Sequence, residues 1–333
     1  MSQAFRKNRR TALAASALMA ALSLASGACC AQARAYPAKP VRLVVGFAAG
    51  GPTDVVARAF ADHASRTLGQ PFVVDNKPGA NTILAAQAVA GAAPDGYTLL
   101  FGATNHTMIP ALYGGRVKFD AVKSFQPLCT VATSPTVLVV GQRMPARSLK
   151  DFLQQARQKP GMVTAGSAGI GSSGHFALEM FTRANAVRLN HVPYKGAAQV
   201  VNDLIGGQLD SSFATLGSVL PQLQAGQLRA LAVAAPRRSA LLPGVPTFAE
   251  AGGGEFSADA WYGLLAHAGV PAEIAQALEA TAAGFAKSEA GAGRLRSLGL
   301  EPASLCGTPF AEQVGREVAT YTRIARELEL KAD

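Results

Sequence analysis

Two glycine-bearing turns hold the residues best placed to do chemistry. The first is Gly50-Gly51-Pro52. It follows the apolar run Val41–Phe47 and precedes a segment in which Ala57, Phe60, Ala61, Ala64 and Leu68 recur at helical spacing. A buried strand, a glycine turn and a helix N-terminus together present backbone N–H groups to an anion, and glycine lets the anion come close. Pro52 suits the first helical position, and Asp54 falls in the first turn, where the macrodipole favours negative charge. Asp54–Arg58 and Asp62–Arg66 read as i,i+4 pairs on the outer face, and Gly69 as the stop. An ordinary βα turn that binds nothing has the same pattern.

The second turn, Gly169-Ile170-Gly171-Ser172-Ser173-Gly174, has the G-x-G-x-x-G form of a dinucleotide site. That site also needs an acid about 20 residues on, at the end of the next strand, to hold a ribose. Asn190 and His191 stand there instead. A second anion site fits better, with Ser172, Ser173 and backbone N–H groups receiving a carboxylate.

Catalytic patterns fail on inspection. Neither Ser172 nor Ser173 has glycines on both sides at the spacing of a nucleophile elbow. His106, His175 and His191 could each act as a base, but none has a nucleophile in a readable relation. There is no Walker lysine. No His or Cys residues stand at metal-ligand spacing, so neither a metal nor another cofactor is expected. Tyr194 and Lys195 fall at a strand exit, where Lys195 either faces an anionic ligand or is simply solvated. Trp261 and Phe213 read as pocket walls or as core.

The elements that would position these groups alternate. Strand Val41–Phe47, its helix, strand Pro71–Val74, helix Ile83–Ala90 and strand Tyr97–Phe101 make a βαβαβ unit. The last strand exits into a polar loop, Gly102–His106. After strand Thr136–Val140, Ser148 caps a helix with Asp151 three residues on, and Leu149, Phe152, Leu153 and Ala156 face inward. Strand Met162–Ala165, helix His175–Arg183, strand Val187–Val192, helix Ala197–Ile205 and strands Leu209–Ala214 and Leu228–Ala234 form a second α/β set. Gly252-Gly253-Gly254 reads as flexible, and strand Ala260–Leu265 as the return. Pro271 opens an Ala-rich helix, and Thr308-Pro309 a long one with Phe310, Val314, Val318, Tyr321, Ile324 and Leu328 on one face.

Composition sets the class. The chain has 333 residues, 49% of them hydrophobic, enough for two lobes. Residues 1–35 read as an export signal, with Arg6, Lys7, Arg9 and Arg10 before the apolar Ala12–Ala25 and Ala33-Arg34-Ala35 at the cleavage point. Cys29 and Cys30 leave a lipid anchor as an alternative. The formal charge of +10 includes five cations of this leader and no acids, so the rest carries +5. No basic stripe with interleaved aromatics is present, which argues against nucleic acid. Beyond residue 35 no apolar run approaches the roughly 18 residues of a membrane span. Cys129 and Cys306 remain and read as buried or paired, not catalytic.

Taken together, several runs resemble the extracytoplasmic receptors of tripartite tricarboxylate transporters, the Bug-type solute-binding proteins. They are GFAAGGPTDVVAR (Gly46–Arg58), VVDNKPGAN (Val73–Asn81), APDGYTLLFG (Ala93–Gly102), PALYG (Pro110–Gly114), GIGSSGHFALEMF (Gly169–Phe181), HVPYKGAAQVVNDLIGGQLD (His191–Asp210) and LRALAVAAPRRSALLPGVPTFAEAG (Leu228–Gly252). They run in the same order over nearly the whole mature chain. Asn81-Thr82 stands where a glycine-rich end is common. The resemblance implies an α/β, two-lobed periplasmic-binding-protein-like fold, each lobe a mostly parallel sheet flanked by helices, with the ligand cleft between. The lobes would be 36–135 with 258–333, and 136–257. It implies a non-enzymatic, monomeric periplasmic receptor that closes on a small organic carboxylate and delivers it to integral membrane transporter subunits. Two opposed loops would grip the ligand: Phe47, Ala49, Gly50, Gly51, Thr53 and Asp54 in one, and Ser167, Ala168, Gly171, Ser172, Ser173 and His175 in the other. Thr104, Asn105 and His106 would form a side wall. The alternatives are an exported α/β hydrolase or nucleotide-dependent oxidoreductase, or a receptor that presents its closed form to a signalling partner.

Overall fold

Residues 36–255, 258–327, 329 and 330 are described by the computed structural model. The leader and Leu328 lie outside them. From Lys39 onward the chain forms one unit built on two sheets.

The first sheet opens with β1 (Val41–Val45), whose residues other than Arg42 are fully buried. The turn leads into α1 (Pro52–Leu68), which ends on Gly69 in the left-handed conformation. Then come β2 (Phe72–Asn76), α2 (Ile83–Ala90) and β3 (Thr98–Ala103), with β1 parallel to both strands. The expected polar loop after β3 is instead α3 (Asn105–Tyr113), which carries Pro110. A long buried strand, β4 (Phe125–Ser134), closes this part.

The second sheet begins at β5 (Thr136–Gly141), followed by α4 (Leu149–Gln158). Ser148 and Asp151 form the expected reciprocal capping box, and Leu149, Phe152, Leu153 and Ala156 are buried. β6 (Thr164–Ser167), α5 (Ser173–Ala184), β7 (Asn190–Pro193), α6 (Ala197–Gly206), β8 (Ser211–Thr215), α7 (Leu216–Gln224) and β9 (Leu228–Ala234) complete it. The three glycines after it form a turn. Gly252 and Gly254 have positive φ, and a Cβ on Gly253 would lie 2.6 Å from Leu149 Cδ2.

β10 (Ala260–His267) returns to the first sheet. It is followed by α8 (Ala272–Lys287), α9 (Glu289–Ser297), the two-residue β11 (Glu301–Pro302) and α10 (Thr308–Glu327). On α10, Phe310, Val314, Tyr321 and Ile324 are buried as the spacing predicts. Trp261 and Phe213 are core residues.

The sheets share one plan. The first runs β11-β4-β10-β3-β1-β2 and the second β7-β6-β8-β5-β9. Each has three parallel strands in the order second-first-third, then one reversed strand, then one in the original direction. In each lobe the reversed strand enters from the other half of the chain. Pairing is therefore mixed, with four strands of each larger set sharing a direction. The chain crosses between sheets at Pro135 and again near Ala258–Asp259. The crossings run side by side, with Ala260 registered on Ser134 and Thr136 Oγ1 donating to Ala258 O.

Each sheet buries its own core, around Val44, Leu100, Trp261 and Phe310 in one lobe and Leu138, Phe152, Phe181 and Phe213 in the other. A further cluster joins the lobes: Met108 and Leu112 of α3, Phe176 of α5, and Tyr321 and Ile324 of α10. Cys129 and Cys306 form a disulfide that ties β4 to the segment before α10. Among the described residues, no helix is long and apolar enough to cross a membrane.

Candidate functional site

The first turn is set by a buried carboxylate. Asp54 is 2% exposed and so is not on the outer face of α1. Its Oδ2 accepts from Gly50 N at 2.9 Å and Arg58 Nε at 3.0 Å, and its Oδ1 accepts from Asn76 Nδ2 at 2.9 Å. Asn76 Nδ2 also donates to Phe47 O, and its Oδ1 accepts from Arg58, so β2, the turn and α1 are tied together. Burial alone would raise the Asp54 pKa. The bonds from Arg58, Gly50 and Asn76 outweigh it and hold the carboxyl below its usual range. The Gly50 N–H expected to meet a ligand is therefore spent inside the turn. The N–H groups of Gly51 and Thr53 remain: α1 begins its ladder at Val55 N to Gly51 O, and these two find no partner among the described residues. Ala49 and Gly50 are exposed, whereas Thr53 is buried.

The second turn is held in the same manner from behind. Ser172 Oγ accepts from His175 N at 3.2 Å and donates to Gly169 O at 2.8 Å, so the hydroxyl expected to meet a carboxylate caps α5 instead. Ser173 is buried, and a Cβ on Gly174 would overlap Phe213 O, which accounts for that glycine by close helix–strand packing. Ala168 is exposed at the rim. His175 Nδ1 accepts from Gly171 N at 3.2 Å, and Ser167 Oγ bonds His191 Nε2 at 2.7 Å. The two imidazoles stack at 4.5 Å with 12° between planes. Burial, and then the neighbouring His191 ring, lower the His175 pKa to about 4; burial also lowers His191. Both rings are neutral at pH 7, and the 3.8 Å approach of His175 Nε2 to Glu179 is not an ion pair there.

His175, Glu179 and His191 bring possible ligand atoms within 4.8 Å of one another, a grouping that sequence spacing did not reveal. The readable signal is the one-turn step from His175 to Glu179 on α5, but His191 joins them only through β7. A neutral imidazole has one lone pair, and that of His175 already receives the Gly171 N–H. Metal binding through Nε2 would break that bond. The cluster shapes the turn; its donor set does not suit a cation as it stands.

The remaining expected residues divide. Thr104 Oγ1 accepts from Trp261 N at 2.7 Å and Asn105 Nδ2 reaches Asn81 Oδ1, so both brace the edge of the first sheet from within. His106 is no wall. It is 1% exposed, meets Phe125 edge-on at 4.7 Å, bonds Ala121 O through Nε2, and has its pKa lowered to about 4 by burial. Tyr194 turns its hydroxyl to Asp203 of α6, and Lys195 is exposed with its backbone N–H on Gln199.

The second turn meets the first lobe. A Cβ on Gly171 (φ +78°) would overlap Leu112 Cδ1 and lie 2.6 Å from Asn81 Nδ2, both on the first lobe. The next residue, Thr82, packs so closely on Gly46 that a Cβ there would overlap it. Gly46, Thr82, Asn81 and Gly171 thus link the first turn to the second. Asn76, Asn81 and Leu112 are not among the expected site residues; for the first two the signal is a polar side chain at the last position of β2 and another in the turn that follows it. A separate groove of about 680 Å³ borders Ala49, Gly50 and Asp54, but Arg58, Arg66 and Arg294 line its other side, all on the first lobe.

Comparison with known proteins places the sequence and the fold. The chain is 35% identical to the protein BugT of Bordetella pertussis over 240 residues, 72% of this chain and 74% of BugT. An R. palustris protein solved with adipate superposes with a TM-score of 0.82 at 34% identity, over 89% of this chain and all of that one. MatC from Rhodopseudomonas palustris with bound malate gives 0.77 at 31% identity, over 87% and 99%. Residues 56–330 match the Tripartite tricarboxylate transporter family receptor. The chain belongs to that family of solute-binding receptors, which are not enzymes.

Proposed function

We propose that the mature chain is a periplasmic receptor that takes up one small organic carboxylate between its lobes and delivers it to the membrane subunits of a tripartite-type transporter. The observation that supports this is the contact of Gly171, in the second glycine turn, with Asn81 and Leu112 of the first lobe; each of the two glycine turns stands at a helix N-terminus. A single anion shared by both turns would satisfy amides from each lobe only when the lobes are together, so binding shifts the population toward closure. Residues 47–54 and 167–175 supply the grip in this reading, through main-chain groups; Asp54, Ser172 and His175 hold the turns in shape. The neighbours solved with adipate and malate support a carboxylate ligand. The leader and the Cys129–Cys306 disulfide fit an oxidising, extracytoplasmic compartment.

Gly51 offers the cleanest test. Its φ is −76°, and an added Cβ meets only Ala48 O at 3.5 Å, so the fold accepts a side chain there. Gly51→Val should keep the wild-type thermal midpoint and weaken binding of malate or adipate by tenfold or more in calorimetry, because the side chain fills the approach to the Gly51 and Thr53 amides. Unchanged affinity would remove the first turn from the site.

A further inference from the structure

Three consecutive residues other than glycine, Ala80, Asn81 and Thr82, have φ of +44°, +48° and +69°, directly after Gly79 at +129°. Side chains rarely adopt such a run, and it persists only where the surroundings hold it in place. Here they do. Thr82 is seated on Gly46, and Asn105 Nδ2 donates to both Asn81 Oδ1 and Thr82 Oγ1, each at 3.3 Å.

Because its oxygen is taken by Asn105, the Asn81 amide has one orientation, with Nδ2 turned to the opposite lobe. That nitrogen is buried and finds no hydrogen-bond partner among the described residues. It lies against Gly171 of the second turn. An unfavourable backbone and an unanswered buried donor thus occur in one residue, where the first lobe touches the second turn. A buried N–H with no acceptor is costly, and a bound molecule with an oxygen there would answer it.

We propose that Asn81 contacts the ligand and selects it: Nδ2 donates to an acceptor oxygen of the acid held between the lobes. This rests on the carboxylate-receptor reading above. With Oδ1 engaged by Asn105, Asn81 offers only a donor. The ligand end that meets it is therefore a carboxylate, carbonyl or hydroxyl oxygen and not an ammonium group.

Calorimetry of the mature chain with C3 to C8 mono- and dicarboxylates, alongside Asn81→Gly and Asn81→Asp, tests this. Asn81→Gly suits the positive φ, so its thermal midpoint should match or exceed that of wild type, while affinity for the preferred acid falls about tenfold. The loss should be specific: it should shrink for the analogue of equal length that lacks one terminal oxygen. Asn81→Asp should lose more, with partial recovery as the pH is lowered toward protonation of the new carboxyl. A change of less than threefold in Asn81→Gly, or an equal loss for every acid, would overturn the contact while leaving the receptor reading intact. A wild-type chain that binds none of the acids would overturn both.

Discussion

At the residue scale, buried polar groups give the molecule its shape and its pH response. His106 and His175 have pKa values lowered to about 4 by burial, so the folded chain keeps both rings neutral. The unfolded chain takes up those protons near pH 6.5. Stability is therefore complete above about pH 6.5 and is lost as the pH falls toward 4, by about 2 kcal/mol per ring between pH 7 and pH 5. Urea unfolding at those two pH values measures it. In His106→Gln the decrease should shrink by about the 2 kcal/mol of one ring; an unaltered pH slope would show that His106 does not carry it. These residues also mark where sequence reading stopped. Asp54 sits at the spacing of a surface i,i+4 pair and does pair with Arg58. Its burial depends on Asn76, 22 positions away, and no local pattern encodes that. A hydroxyl at a helix start, as in Ser172, suits a ligand donor by sequence; the same position makes it the cap that uses the hydroxyl up.

At the element scale, the strongly periodic segments were legible. α1, α2, α4 and β9 fall where the apolar spacing, the caps and the glycine stops put them. α3 was hidden because it opens on the polar run Asn105-His106-Thr107 and contains Pro110, both of which read as loop. β4 was hidden because Pro127 and its threonines break the apolar pattern; Pro127 is tolerated beside a register shift in the pairing with β10. The sequence left the pairing of Cys129 and Cys306 open as one of two readings, since their spacing of 177 residues says nothing of their distance. That separation gives it leverage. In the chain-entropy view, closing so long a loop contributes up to about 5 kcal/mol. The double variant Cys129→Ala/Cys306→Ala should lower the urea midpoint clearly relative to wild type, and reduced wild type should match it. Equal midpoints for all three would mean that packing around β4, and not the crosslink, holds this region.

At the scale of the whole molecule, two halves with the same strand plan are joined by paired crossings and meet at Gly171. The α/β alternation and the family runs carried that architecture in the sequence. The reversed strands themselves were legible, as Thr136–Val140 and Ala260–Leu265; their antiparallel direction was not, because each enters its sheet after a crossing between the lobes. In the receptor reading proposed above, closure would be a rotation about the side-by-side crossings, with the cluster of Met108, Leu112, Phe176 and Tyr321 between the lobes. The central claim is that one small acid is held by both turns at once. A crystal structure of the mature chain with malate or adipate tests it most directly. The account predicts carboxylate oxygens within hydrogen-bond distance of the Gly51 or Thr53 amides and, on the same molecule, of the 168–173 turn. An acid bound to one lobe alone, or in the arginine-lined groove outside the first turn, would contradict it.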